Sequence, residues 1–216
     1  MAPRTKITAA AGTLTAAALL LSACGGGGHD DKIASSPTPS ATTATTTPPP
    51  TTPAASSGAP KFDLPSDVKI TIDPDTTGDA TKDAILRDQG YGVEAAFLAV
   101  TKQDKNFPLL TSYMSESALE TWDESIDAFK KNGHSVSGTL HEYNRKVVLN
   151  GANAGVTFCE DQRYFYDKDI KTGKVLKTTL SSDDFILHTS FMRKDKDGTW
   201  KAATYTSKQG AAECVR

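Results

Sequence analysis

The sequence predicts an α+β domain in which N-terminal helices pack on a curved antiparallel sheet. Two observations carry the prediction. Between residues 79 and 132 apolar side chains recur at helical spacing, and after Asn132-Gly133 the period switches to two and stays there. The joints between the later alternating stretches are short turn sequences, which makes successive strands antiparallel neighbours. Helices first and strands after them place the helices on one face of the sheet.

The chain before that domain is read as a leader and a tether. Arg4 and Lys6 open it, a nearly unbroken apolar or small stretch runs over residues 7–21, and Leu21-Ser22-Ala23-Cys24 closes it. The stretch is shorter than the roughly 20 residues a spanning helix needs, and it ends in small residues around a cysteine. Residues 1–23 therefore read as a signal peptide. The closing motif resembles the lipobox of bacterial lipoproteins, which implies cleavage before Cys24 and a diacylglyceryl group on its thiol. The expected location is the extracellular face of the cytoplasmic membrane, with that membrane as partner through the lipid anchor.

Residues 24–60 read as a disordered linker, rich in Gly, Thr, Pro, Ser and Ala, with Pro48-Pro49-Pro50 inside it. Such a composition buries too little apolar surface to offset its ordering entropy. If extended at about 3.1 Å per residue it reaches roughly 100 Å from the membrane. Removing Arg4 and Lys6 from 24 basic residues leaves 22 against 26 acidic, a net charge of −4. That balance argues against nucleic acid as a partner, which a basic patch would favour.

The domain, residues 61–216, begins with Val68-Lys69-Ile70-Thr71-Ile72, whose strict alternation predicts a short edge strand or packed arm. Asp73-Pro74-Asp75-Thr76-Thr77-Gly78-Asp79 has acidic residues at calcium-loop spacing. The twelfth position, however, is Ala84 instead of a bidentate Glu, so the stretch reads as a turn with Asp79 capping a helix. That helix runs over residues 79–103, with Leu86, Val93, Ala96, Phe97 and Val100 on its core face. Gly90 and Gly92 mark a bend or a close approach within it. Pro108 starts a short helix over residues 108–113. Ser115 caps a third, striped by Leu119, Trp122, Ile126 and Phe129 and stopped by Asn132-Gly133. Strands follow at residues 136–149, 154–166, 174–179, 185–194 and 199–207, and Gly138 is placed to bend the first of them.

The order of elements resembles the NTF2-like (SnoaL-type, cystatin-like) fold, a cone with a pocket between sheet and helices. The stretch from Asp73 to Asp79, Leu86-Arg87-Asp88, Ser117-Ala118-Leu119 and Phe158-Cys159-Glu160-Asp161-Gln162-Arg163 look like those of secreted actinomycete lipoproteins of uncharacterised function. The resemblance covers residues 62–209 and implies a fold and a location. Its relatives include isomerases, dehydratases, cyclases and domains without chemistry, and their sheets often pair into homodimers.

With Cys24 lipidated, Cys159 and Cys214 remain as an even pair in an oxidising compartment, which predicts a disulfide. A catalytic thiol would need a partnering base, and neither cysteine has a histidine near it in sequence. The sequence contains no G-x-S-x-G, H-E-x-x-H, C-x-x-C, P-loop or G-x-G-x-x-G motif, so no catalytic residue, metal site or cofactor is assigned. Candidate pocket residues are Trp122, Tyr143, Glu160 and Tyr164, with Glu160 inward because it shares parity with Val156 and Phe158. His141 and His188 read as satisfied strand histidines. The function expected is a non-enzymatic lipoprotein whose domain binds a small ligand or an envelope partner. The alternative is an extracellular lyase, isomerase or cyclase using a pocket carboxylate.

Overall fold

The computed structural model describes residues 58–74 and 76–216. Cys24, the signal peptide, nearly all of the linker and Asp75 lie outside the described residues.

The order is β1 (Val68–Ile72), α1 (Ala80–Lys102), α2 (Pro108–Tyr113), α3 (Glu116–Asn132), β2 (His134–Asn150), β3 (Asn153–Asp169), β4 (Val175–Leu176), β5 (Phe185–Lys194) and β6 (Trp200–Gln209). The strands form one sheet in the order β1-β2-β3-β5-β6, with β4 beside β3. All pairs from β2 onward are antiparallel, whereas β1 runs parallel to β2 as the edge strand. The α+β class expected from the period switch is therefore the architecture observed.

Each helix begins and ends for local reasons. The Asp79 carboxylate accepts hydrogen bonds from the Thr81 and Lys82 amides at 2.8 and 3.1 Å, satisfying donors that α1 leaves free at its start. Gly133, at φ 67°, closes α3 with a left-handed residue. Ser115 sits at the N-cap of α3, but its hydroxyl does not cap the helix. It donates instead to the Ala202 carbonyl at 3.3 Å, fastening the start of α3 to β6. Gly90 and Gly92 are sites of close packing, since a Cβ on either would come within 3.2 Å of Ile72 or 3.1 Å of Met114.

The core lies between the helices and one face of the sheet. Leu86, Val93, Ala96, Phe97 and Val100 of α1 are buried there with Trp122, Ile126 and Phe129 of α3, while Leu119 is half-buried. Phe97 meets Trp122 and Phe165 edge-on, with centroids 5.4 and 5.0 Å away.

Two bulges shape the long β2–β3 pair. Thr139 faces Tyr164 and His141 faces Asp161, so Leu140 stands opposite two residues, Gln162 and Arg163. Tyr143 faces Cys159 and Lys146 faces Thr157, so Asn144 and Arg145 on β2 stand opposite the single residue Phe158. Each bulge reverses which parity faces the core and increases the local twist. The strand expected over residues 174–179 shrinks to Val175–Leu176, because β3 offers it only Asp167 and Lys168. Further back, residues 153–161 of β3 pair with β5. Residues 162–166 are left without a strand on that side, and the segment from Thr178 to Asp183 passes the gap.

Candidate functional site

A cavity of about 240 Å³ occupies the space between α1, α3 and the sheet, beside that gap. Its walls are aromatic and aliphatic: Phe97, Trp122, Phe129, Val136, Phe165 and Ile186. A carboxylate, an imidazole and a phenol meet in it, from Glu160 on β3, His188 on β5 and Tyr205 on β6. Phe158 and His188 face each other across β3 and β5, and their rings stack at 4.9 Å. Tyr205 lies 5.0 Å from the imidazole centroid on its other neighbour.

The Glu160 side chain is 3% exposed. Gln162, next but one along β3 and on the same face, donates its amide to the Glu160 Oε1. The His188 Nε2 lies 3.4 Å from that oxygen but is not aligned for a hydrogen bond, and neither ring nitrogen of His188 has a hydrogen-bond partner. The Thr178 hydroxyl and the Trp122 indole N–H, both from cavity-lining residues, are likewise buried without one. Burial, followed by the charges of Glu160 and Glu142, pushes the Tyr205 phenol well above its ordinary range.

Glu142 lies directly opposite Glu160 on β2 and is fully buried. Its Oε2 accepts from the Gln89 amide of α1 at 3.2 Å, and its Oε1 has no hydrogen-bond partner. Loss of solvent, and then the Glu160 charge, raise its pKa to about 8, against the pull of Arg145 and Gln89. Glu142 is thus held mostly protonated at neutral pH. Arg145 reaches over the β2 bulge to the Gln89 amide oxygen and to the Leu86 and Asp73 carbonyls.

Of the four candidate pocket residues, Trp122 and Glu160 line the cavity and Tyr143 and Tyr164 do not. Tyr143 points to the opposite face of the sheet, where its hydroxyl donates to the Cys214 carbonyl and its ring packs with Cys159, Phe185 and Ala211. Tyr164 shares sequence parity with Glu160, but the bulge at Gln162 and Arg163 turns it outward, and it is 57% exposed. His188 departs from the reading of a satisfied strand histidine, because neither nitrogen is hydrogen-bonded. His141 is satisfied, with its Nε2 2.8 Å from the Asp73 Oδ1.

Tyr205 and Glu142 belong to the polar cluster without having been singled out from sequence. Glu142 could have been found by its parity with Leu140. Tyr205 could not, because the register shift between Phe191 and Met192 on β5 changes the phase of β6 beside it.

The opposite face of the sheet carries a structural cluster. Cys159 on β3 is joined to Cys214 by a disulfide. Asp161 is held by Arg163 through contacts of 2.8 to 3.2 Å, which keep its carboxyl below the ordinary range against the burial that would raise it. The Arg163 guanidinium lies over the Phe185 ring at 4.9 Å and that of Arg216 over Tyr143 at 3.7 Å. Among the described residues no group of His, Cys, Asp and Glu is placed to hold a metal ion.

The architecture is that of an α+β cone-type domain with a walled cavity under its helices. Among solved structures the chain is similar to a ketosteroid isomerase-like protein from Erwinia carotovora atroseptica, at 16% identity and a TM-score of 0.35, over 55% of this chain and 90% of that one. It is also similar to an NTF2-like superfamily protein from Salmonella enterica serovar Typhimurium, at 11% identity and a TM-score of 0.39, over 57% and 89%. A member of the NTF2-like family from Streptomyces avermitilis is 15% identical at a TM-score of 0.38, over 56% and 93%. No family model and no curated protein sequence matches the chain.

Proposed function

We propose that this chain is a lipoprotein, lipidated at Cys24 and held on the extracellular face of the cytoplasmic membrane, whose NTF2-like domain binds a small molecule in its cavity without transforming it. The cavity carries the reading: apolar walls, with a few polar side chains converging at one place, are the usual make-up of a small-molecule site. The Leu21-to-Cys24 motif supports the anchor, and the Cys159–Cys214 disulfide suits an oxidising compartment.

One observation favours a second reading, an extracellular lyase, isomerase or cyclase. Glu160 sits in an apolar cavity beside an imidazole and a phenol, an arrangement able to move a proton to and from a bound molecule. Glu160→Gln separates the two. A binding module keeps its fold and changes only in ligand affinity, whereas an enzyme with Glu160 as general base loses about 100-fold or more in rate while still folding. Incubating parent and variant with cell-envelope extract and following products by mass spectrometry makes the comparison. A product formed by the parent and missing with the variant replaces the binding reading by the enzymatic one.

The anchor is tested separately. Cys24→Ser is expected to stay uncut and unlipidated and to lose the parent's partitioning into detergent. Partitioning equal to the parent's overturns the lipobox.

A further inference from the structure

The cavity has one sign of charge. Glu160, Asp167 and Asp183 line it, and no lysine or arginine does. The two arginines nearest in sequence to its floor are engaged elsewhere, Arg145 with Gln89 and the carbonyls of Leu86 and Asp73, and Arg163 with Asp161 on the other face of the sheet. Glu142, across from Glu160, is kept largely neutral. The buried carboxylate therefore meets only neutral hydrogen-bonding groups and one imidazole, and a charge taken out of water in that setting is costly until a cation is brought to it.

The remaining lining suits the body of such a cation. Phe97, Trp122, Phe129, Phe165, Tyr166 and Tyr205 present aromatic surface around the space, and aromatic faces attract cations. A second, independent observation is the state of His188. It is 5% exposed, it lines the cavity, and neither ring nitrogen is hydrogen-bonded. An imidazole lone pair beside a carboxylate can accept a second N–H from the group that pairs with the carboxylate. Ligands of other charge fit less well. An anion would enter against the buried Glu160 with no lysine or arginine in the lining to offset it, and a neutral molecule would displace water from Glu160 without returning a charge.

From this geometry we infer that the molecule bound in the cavity is a protonated primary or secondary amine with an apolar, preferably aromatic, body. Its ammonium pairs with Glu160 and donates to His188, and its body lies against Trp122, Phe97 and Phe165. Asp183, exposed near the end of the segment that passes the gap, also lines the cavity. The inference deepens the small-molecule reading above and rests on it.

Three probes with one body and three charges test it by calorimetric titration of the purified full chain: phenethylamine, phenethyl alcohol and phenylacetate. The amine is expected to bind about tenfold or more tightly than the alcohol, and phenylacetate least, as a charge-assisted contact in a water-poor site requires. Glu160→Gln is expected to remove most of the amine's advantage over the alcohol. Equal affinities for amine and alcohol, or tightest binding of phenylacetate, overturn the amine inference and leave the cavity a small-molecule site. Failure of all three to bind at tens of millimolar overturns both.

Discussion

Glu142 and Glu160 face each other from adjacent strands in a water-poor interior, and two charges so placed would repel strongly; the fold accommodates them because one keeps its proton. This has a thermodynamic consequence with a definite sign. Glu142 has a pKa of about 8 in the fold against 4.5 for the ordinary side chain. The folded chain therefore holds a proton that the unfolded chain releases across that window. The contribution to stability is complete below pH 4.5 and is lost as pH rises toward 8, by an amount on the order of a few kcal/mol. Glu142→Gln retains an acceptor for Gln89 and removes the titration. The parent's melting temperature is expected to fall more steeply between pH 4.5 and 8 than the variant's. Parallel decline of the two would assign the pH dependence to another group. The inward position of Glu160 was legible from its parity with Phe158. Tyr164, four residues on with the same parity, was not placed correctly by the same rule, because a single extra residue at the bulge reverses the alternation.

At the scale of elements, β3 explains the cavity. One strand of 17 residues pairs with β5 along its first half and with the two-residue β4 near its end, and the unpaired interval between them lies beside the cavity. Gly138 serves the same geometry on β2. Its φ of 108° is unfavourable for any side chain, and a Cβ there would lie 2.0 Å from the Tyr164 carbonyl oxygen. Gly138→Ala is expected to destabilise the domain by about 2–4 kcal/mol, from backbone strain combined with a clash against main chain that cannot rotate away. Chemical denaturation reads this directly, and an unchanged midpoint would show that the strand pair opens to admit a methyl group. The sequence marks Gly138 as an interruption of alternation. It does not reveal that the close approach comes from Tyr164, 26 positions away.

At the scale of the molecule, the disulfide ties the segment after β6 across the face of the sheet that the helices leave uncovered. There Tyr143, Phe185 and Ala211 pack around it. Closing a loop with a sequence separation of 55 stabilises the fold by about 4 kcal/mol in the chain-entropy model. The double substitution Cys159→Ser with Cys214→Ser is expected to lower the melting temperature, and reductant to do the same to the parent and nothing to the variant. A parent insensitive to reductant would mean that the bond does not form in the protein.

The sequence alone determined the α+β class, the order of the elements, their boundaries to within a few residues, the Asp79 cap and the cysteine pair. These depend on local period, on capping chemistry and on the parity of thiols, all written in adjacent residues. Only the tertiary structure decided which side chains share the cavity. Tyr143 and Tyr164 leave it and His188 and Tyr205 enter it because strand register, bulges and the partner of each half of β3 are fixed between distant segments. A one-residue slip in any of these turns a side chain from one face of the sheet to the other, and no local pattern records it.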